Sequence, residues 1–176
     1  MNIIKKYFST TIVIMIFLSA CGNQDLDGQI GFELVLIDDN GLGKNQFRQE
    51  ENVTFILRLI NKSGDDFQIT NDEICHLLNQ EEFLLVYNII HNTGTEEDDL
   101  IPMGKPYKFP VICNLLGGPG TIFTYAQGYH DLFKFSWISE DTSNVPLNPG
   151  YYKTSIEYEL WKSKVPLNIS TEFKVI

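Results

Sequence analysis

An all-β sandwich of seven to eight strands with one short helix is what this sequence predicts, and three observations carry that expectation. Short apolar segments alternate with turn residues along most of the chain. Several of those segments show strict period-two alternation, the mark of a half-buried strand. Only one stretch carries helical spacing. Phe32 to Ile37 reads as a first strand, stopped by Asp38-Asp39-Asn40-Gly41. Asn52 to Asn61 is stronger: Val53, Phe55, Leu57 and Leu59 share one face, while Thr54 and Arg58 share the other. The polar run Asn61 to Asp66 then makes a turn, and Phe67 to Ile69 forms a short strand.

The helical piece is Asn71 to Glu82, with Asp72 as the expected cap and Ile74, Leu77 and Leu78 at i, i+3 and i+4. Phe83 to Ile90 is a nearly continuous apolar run and reads as a central strand. From His91 to Asp131 the chain is looser, holding the acidic cluster Glu96 to Asp99 and the stretch Gly117-Gly118-Pro119-Gly120. Lys108 to Cys113 and Thr121 to Tyr125 are the short strands expected inside it. Leu132 to Ile138 alternates again, with Phe133, Phe135 and Trp137 inward. After the turn Asn148-Pro149-Gly150 comes a long strand, Tyr151 to Trp161, placing Tyr152, Ile156, Tyr158 and Leu160 on one side. Thr171 to Ile176 closes the chain with Phe173 and Val175 inward, and a terminal hairpin pairs these last two strands.

The amino-terminal segment speaks of address rather than fold. Lys5 and Lys6 precede an apolar stretch from Tyr7 to Leu18, and small residues lead into Cys21. A secretory signal has that layout. A spanning helix needs about 20 predominantly apolar residues, whereas this chain turns polar at Gly22-Asn23-Gln24-Asp25. The tetrapeptide Leu18-Ser19-Ala20-Cys21 resembles the lipobox of bacterial lipoproteins. That resemblance implies cleavage before Cys21, acylation of its sulfur, and a partner in the membrane itself. The polar start from Gly22 to Gly28 resembles the surface-export signals of Bacteroides-type lipoproteins, which implies an outer-membrane or cell-surface location. The expected organisation is thus a signal peptide over 1–20, a lipidated tether over 21–30 and one sandwich domain over 31–176.

Removing residues 1–20 deletes two lysines and no acids, so 11 basic residues face 23 acidic ones and the formal charge is −12. Nucleic-acid binders carry basic patches, and that partner class is excluded; so is direct adhesion to anionic lipid. With Cys21 acylated, Cys75 and Cys113 remain. An even number in an oxidising compartment suggests a bridge, closing a loop for which chain entropy gives roughly 3–4 kcal/mol; two buried free thiols are the alternative.

Two further segments carry a resemblance. Leu147-x-Pro149-Gly150-x-Tyr152 looks like the tyrosine corner of immunoglobulin-like domains, and Phe47-x-x-Glu50-x-x-Val53-x-Phe55-x-Leu57-x-Leu59-x-Asn61 resembles their second strand. Both imply an immunoglobulin-like β-sandwich. The intersheet cysteine pair of antibody domains has no counterpart: Phe55 or Leu57 and Thr154 stand near those places.

Catalytic spacing is missing. His76, His91 and His130 form no metal-binding motif, there is no nucleophile elbow, and the Gly-Pro stretch lacks the lysine of a phosphate loop. The paired acids are poor candidates for hydrolysis, since adjacent residues on a strand point oppositely; they read as solvated turns, with calcium binding through oxygen ligands as the alternative. No metal and no cofactor is expected. Aromatic residues make up 12% of the chain, and four lack an inward slot or border a loop: Tyr125, Tyr129, Tyr151 and Trp161. Exposed rings of this kind grip sugars or partner proteins. The leading expectation is therefore a non-catalytic module that binds a protein or glycan through loops between His91 and Asp131. A second follows from the same strand and corner, which are similar to the intracellular proteinase inhibitors of bacilli and imply an envelope protease inhibitor. An enzyme of unrecognised class is the third, and it expects a deep pocket with clustered ionisable groups.

Overall fold

The computed structural model describes residues 29–91, 98–112, 118, 120–139 and 142–176. Its elements run β1 (Ile30–Ile37), β2 (Gln46–Phe47), β3 (Thr54–Asn61), β4 (Phe67–Thr70), α1 (Asn71–Leu78), β5 (Val86–Ile90), β6 (Asp99–Gly104), β7 (Ile122–Tyr125), β8 (Gly128–Ser136), β9 (Gly150–Glu159) and β10 (Pro166–Val175). The fold is mostly β, as the alternation demands. Ten described strands form it rather than seven or eight, because β2, β4 and β6 are short or irregular additions to the long ones.

Two sheets make the sandwich. One has the order β1-β3-β8, and the other β2-β10-β9-β5-β6. An immunoglobulin-type sandwich puts its first, second, fourth and fifth strands in one sheet and its third, sixth and seventh in the other; among the described residues no strand takes the fourth place. Among the long strands, β1, β3 and β8 occupy the first set, and β5, β9 and β10 the second. The small β2 runs parallel to β10 through Gln46 and Phe47. Between the sheets lie Phe55, Leu57 and Leu59 of β3, facing Tyr152, Ile156, Leu167 and Phe173. Phe173 meets both Phe47 and Phe55 edge-on at 5.9 Å. Each such ring or branched chain contributes roughly 1.5–3 kcal/mol on burial.

The tyrosine corner is present. The Tyr152 hydroxyl donates to the Asn148 carbonyl at 2.7 Å, and the ring stacks on Phe173 at 5.4 Å. Gly150 allows close approach, since a Cβ there would sit 3.0 Å from the Asn88 side-chain nitrogen and oblige that side chain to shift.

The β3–β8 pairing continues past a polar interruption as β4–β7. Asn61, buried at the joint, donates from its amide to the Asp65 and Tyr125 carbonyls at 2.9 and 3.0 Å. That one side chain replaces the ladder bonds the turn removes. Leu132 is the extra residue of a bulge opposite Leu57 and Arg58.

Several expected boundaries shift. The helix ends at Leu78, and Thr70, not Asp72, caps it, in a reciprocal capping box with Glu73. Phe83 to Leu85 form turns rather than strand; Leu84 has φ 52°, and β5 begins only at Val86. Lys108 to Ile112 form no strand. In compensation, Asp99 to Gly104, read from sequence as loop, forms the outer strand β6.

Candidate functional site

Gly104 ends β6 with φ 131°, a conformation that favours glycine, and turns the chain across the open side of the sandwich toward β8. Among the described residues no strand pairs with the outer side of β8. Tyr107 takes that place, with its ring 4.7 Å from Phe135 of β8 and 6.2 Å from Phe83. The Tyr107 hydroxyl lies 2.8 Å from the Leu78 carbonyl and 3.2 Å from the Phe83 carbonyl, and shares its proton between them. These are the carbonyls freed where α1 ends and the following turns begin. Burial pushes the Tyr107 phenol up from its ordinary pKa.

This seating fixes what lies on either side of Tyr107. Lys105 Nζ donates to the Gln80 carbonyl at 2.6 Å and to the Tyr107 hydroxyl at 3.3 Å. It also stands 3.9 Å from the centroid of the Phe109 ring, within cation–π range. Burial holds the Lys105 ammonium below its ordinary pKa, with the charge of Glu81 acting the other way. From the opposite side, Asn144 donates its amide to the Lys105 carbonyl at 2.7 Å and to the Trp137 carbonyl at 3.0 Å. The result is a groove of about 560 Å³ lined by Glu81, Lys105, Tyr107, Lys108, Phe109, Thr142, Ser143 and Asn144. It combines two ammonium groups, a ring that is 42% exposed, and short hydroxyl and amide side chains.

The four aromatic residues singled out from sequence do not meet here. Tyr125 is half-buried against the core, with its ring 5.4 Å from His130. Tyr129 is exposed on β8. Tyr151 stands at the start of β9, between His91 at 5.1 Å and the Lys174 ammonium at 5.0 Å. Trp161 follows the end of the same strand, under Lys162. A ten-residue strand separates the last two, about 30 Å at strand rise, so they cannot serve one small ligand. Cys75 lies half-buried in α1, while Cys21 and Cys113 fall outside the described residues. His76 and His91 are exposed; His130 sits within β8 rather than in a loop. Among the described residues no group of three or more His, Cys, Asp or Glu is placed to hold a metal.

Sequence reading passed over Lys105, Tyr107 and Phe109. Their signal was there, as cation and ring alternating in Lys105-Pro106-Tyr107-Lys108-Phe109. Nothing in the sequence brings Thr142 to Asn144 beside them. No protein-family model, no curated protein and no solved structure matches the chain.

Proposed function

We propose that this chain is a lipid-anchored envelope protein whose sandwich is a non-catalytic binding module, with the groove between Lys105–Phe109 and Thr142–Asn144 as its ligand site. One observation carries the reading: an exposed ring and two cations line a space of about 560 Å³, with Lys105 held there by Tyr107 and Asn144. Small-ligand pockets span roughly 300–1,000 Å³, so a short saccharide suits this groove better than a protein face does. The segment also falls within the His91 to Asp131 region.

The anchor in this reading is the acylated Cys21, supported by Leu18-Ser19-Ala20 directly before it. Among the described residues no helix is long and apolar enough to cross a membrane. A Cys75–Cys113 bridge belongs to the same reading. Asn79 ties α1 to the approach to Cys113: it donates to the Cys75 carbonyl at 3.0 Å, and its side-chain oxygen accepts from the Val111 amide at 2.9 Å.

A glycan array probed with the detergent-solubilised lipoprotein tests the site. Hits that vanish in Phe109→Ala are expected. Hits that survive it move the site elsewhere, and a blank array with a blank pull-down from envelope extract ends the reading. Mass spectrometry of the mature amino terminus is expected to find an acylated Cys21; a chain starting at Met1 with a bare thiol overturns the anchor.

A further inference from the structure

Two partly buried cations of the described structure have carboxylate partners. Lys44 meets Asp38 at 3.0 Å and Glu51 at 2.8 Å, and Arg58 meets Asp131 and Glu33 at 2.6 and 3.2 Å. Lys105 is different. Its ammonium is half-buried, and its partners are a carbonyl, a phenol and a ring face, none of which carries a negative charge. Charges taken out of water are as a rule paired, and here no carboxylate of the described residues makes a contact ion pair with it, Glu81 acting only from further off. Lys108 lines the same groove, so two cations face one opening in a chain of net charge −10. A neutral ligand would cover Lys105 and leave its charge with no carboxylate in contact, only that of Glu81 acting from further off in the same groove. A carboxylate would complete it.

We propose that the groove takes an acidic sugar, its carboxylate on Lys105 and Lys108 and its ring against Phe109. This rests on the binding reading above and deepens it. The surroundings also limit how much charge the ligand carries. Glu81 lines the groove, and it shares with Glu82 and Glu157 a neighbouring cavity of about 380 Å³. Further charges on the ligand would meet the carboxylate of Glu81 in the groove and those of Glu82 and Glu157 beside it, whereas one carboxylate is balanced by the two lysines. The chemistry selected is therefore a monocarboxylated sugar, not a sulfated or polyuronate chain.

Titration of the isotope-labelled lipoprotein in detergent with methyl glucuronide and, separately, methyl glucoside decides the matter by NMR. The glucuronide is expected to move the resonances of Lys105 to Phe109 and Thr142 to Asn144, with affinity about ten-fold or more above the glucoside. Lys105→Met is expected to bring the two sugars level, and Phe109→Ala to weaken both. The comparison of two sugars on the unaltered protein stands even if either variant folds poorly. Equal affinities, or a glucuronide preference that survives Lys105→Met, overturn the acidic ligand but leave the groove as a saccharide site. Shifts from neither sugar also overturn the acidic-sugar proposal, and the array with its Phe109→Ala arm then judges the broader reading on its own.

Discussion

Tyr152 and Tyr107 are both buried, and both use a hydroxyl to hold backbone carbonyls, but over very different spans of chain. Tyr152 reaches the Asn148 carbonyl, four residues upstream, across the turn that starts β9. Tyr107 reaches Phe83 and Leu78, which lie 24 and 29 residues upstream, and it also accepts from Lys105. The first closes a local turn that the strands would flank anyway. The second holds the carboxyl end of α1, the turn after it and the groove wall in one place. A short-range contact fixes a corner, whereas a long-range one builds a site.

Tyr107→Phe should therefore cost the most. It leaves two buried carbonyls without their donor and removes an acceptor from the Lys105 ammonium, a loss of about 2–3 kcal/mol. For a chain of this size that is a fall of roughly 4–12 °C in Tm, read by thermal melts and urea unfolding. The groove should loosen as well, seen as faster amide exchange at Lys105 to Phe109. Tyr152→Phe removes the bond to the Asn148 carbonyl and the contact with the Asn88 side chain at a turn already fixed by Pro149 and Gly150, and about 1–1.5 kcal/mol is expected. If Tyr152→Phe proves the costlier of the two, the distinction between corner and site wall fails.

The double variant sharpens the same point. Tyr152 contacts Asn88, Asn148 and Phe173, whereas Tyr107 contacts Leu78, Phe83, Lys105 and Phe135. With no shared partner, the two losses should add to within about 0.5 kcal/mol. A larger coupling, measured as the urea double-mutant cycle, would mean that corner and seal move together.

The same contrast explains what sequence reading saw. The corner was legible because Leu147, Pro149, Gly150 and Tyr152 sit within six residues, so its geometry is a local pattern. The strands β3 and β9 were legible, and β10 in its second half from Thr171, because each carries an alternating run of core-facing apolar residues that period-two spacing records directly. β6 was missed because it is exposed from Asp99 to Met103, all but its last residue. With neither face buried, its side chains carry no alternation to read. Phe83 to Leu85 misled for the opposite reason: Phe83 and Leu84 are both buried, so a turn that fills the core looks like a central strand. The groove was hidden because it needs Lys105, Glu81 and Asn144 together, and only the fold sets those distances. Exposed aromatics were a poor guide to it, since Tyr129, Tyr151 and Trp161 are scattered over the surface while the ring that lines the groove, Phe109, was passed over.

The smallest effect lies in how stability changes on the alkaline side, and its sign separates the two groups that meet at 3.3 Å in the groove wall. Burial raises the Tyr107 phenol above its ordinary 10.0, so the unfolded chain loses that proton first. The stabilisation is fully present below the unfolded value and is lost as pH climbs through the folded one. Lys105 runs the other way. Its folded value lies below the ordinary 10.5 because burial disfavours the ammonium, so the folded chain sheds this proton first. Stability from this group then rises with pH, between the lowered value and 10.5. Unfolding free energies measured from about pH 8 to 11 should fall less steeply in Tyr107→Phe than in the unaltered protein, and more steeply in Lys105→Met. Equal slopes in all three proteins would mean that neither proton feels the burial of the wall, and the charge held there would no longer require an anion to complete it.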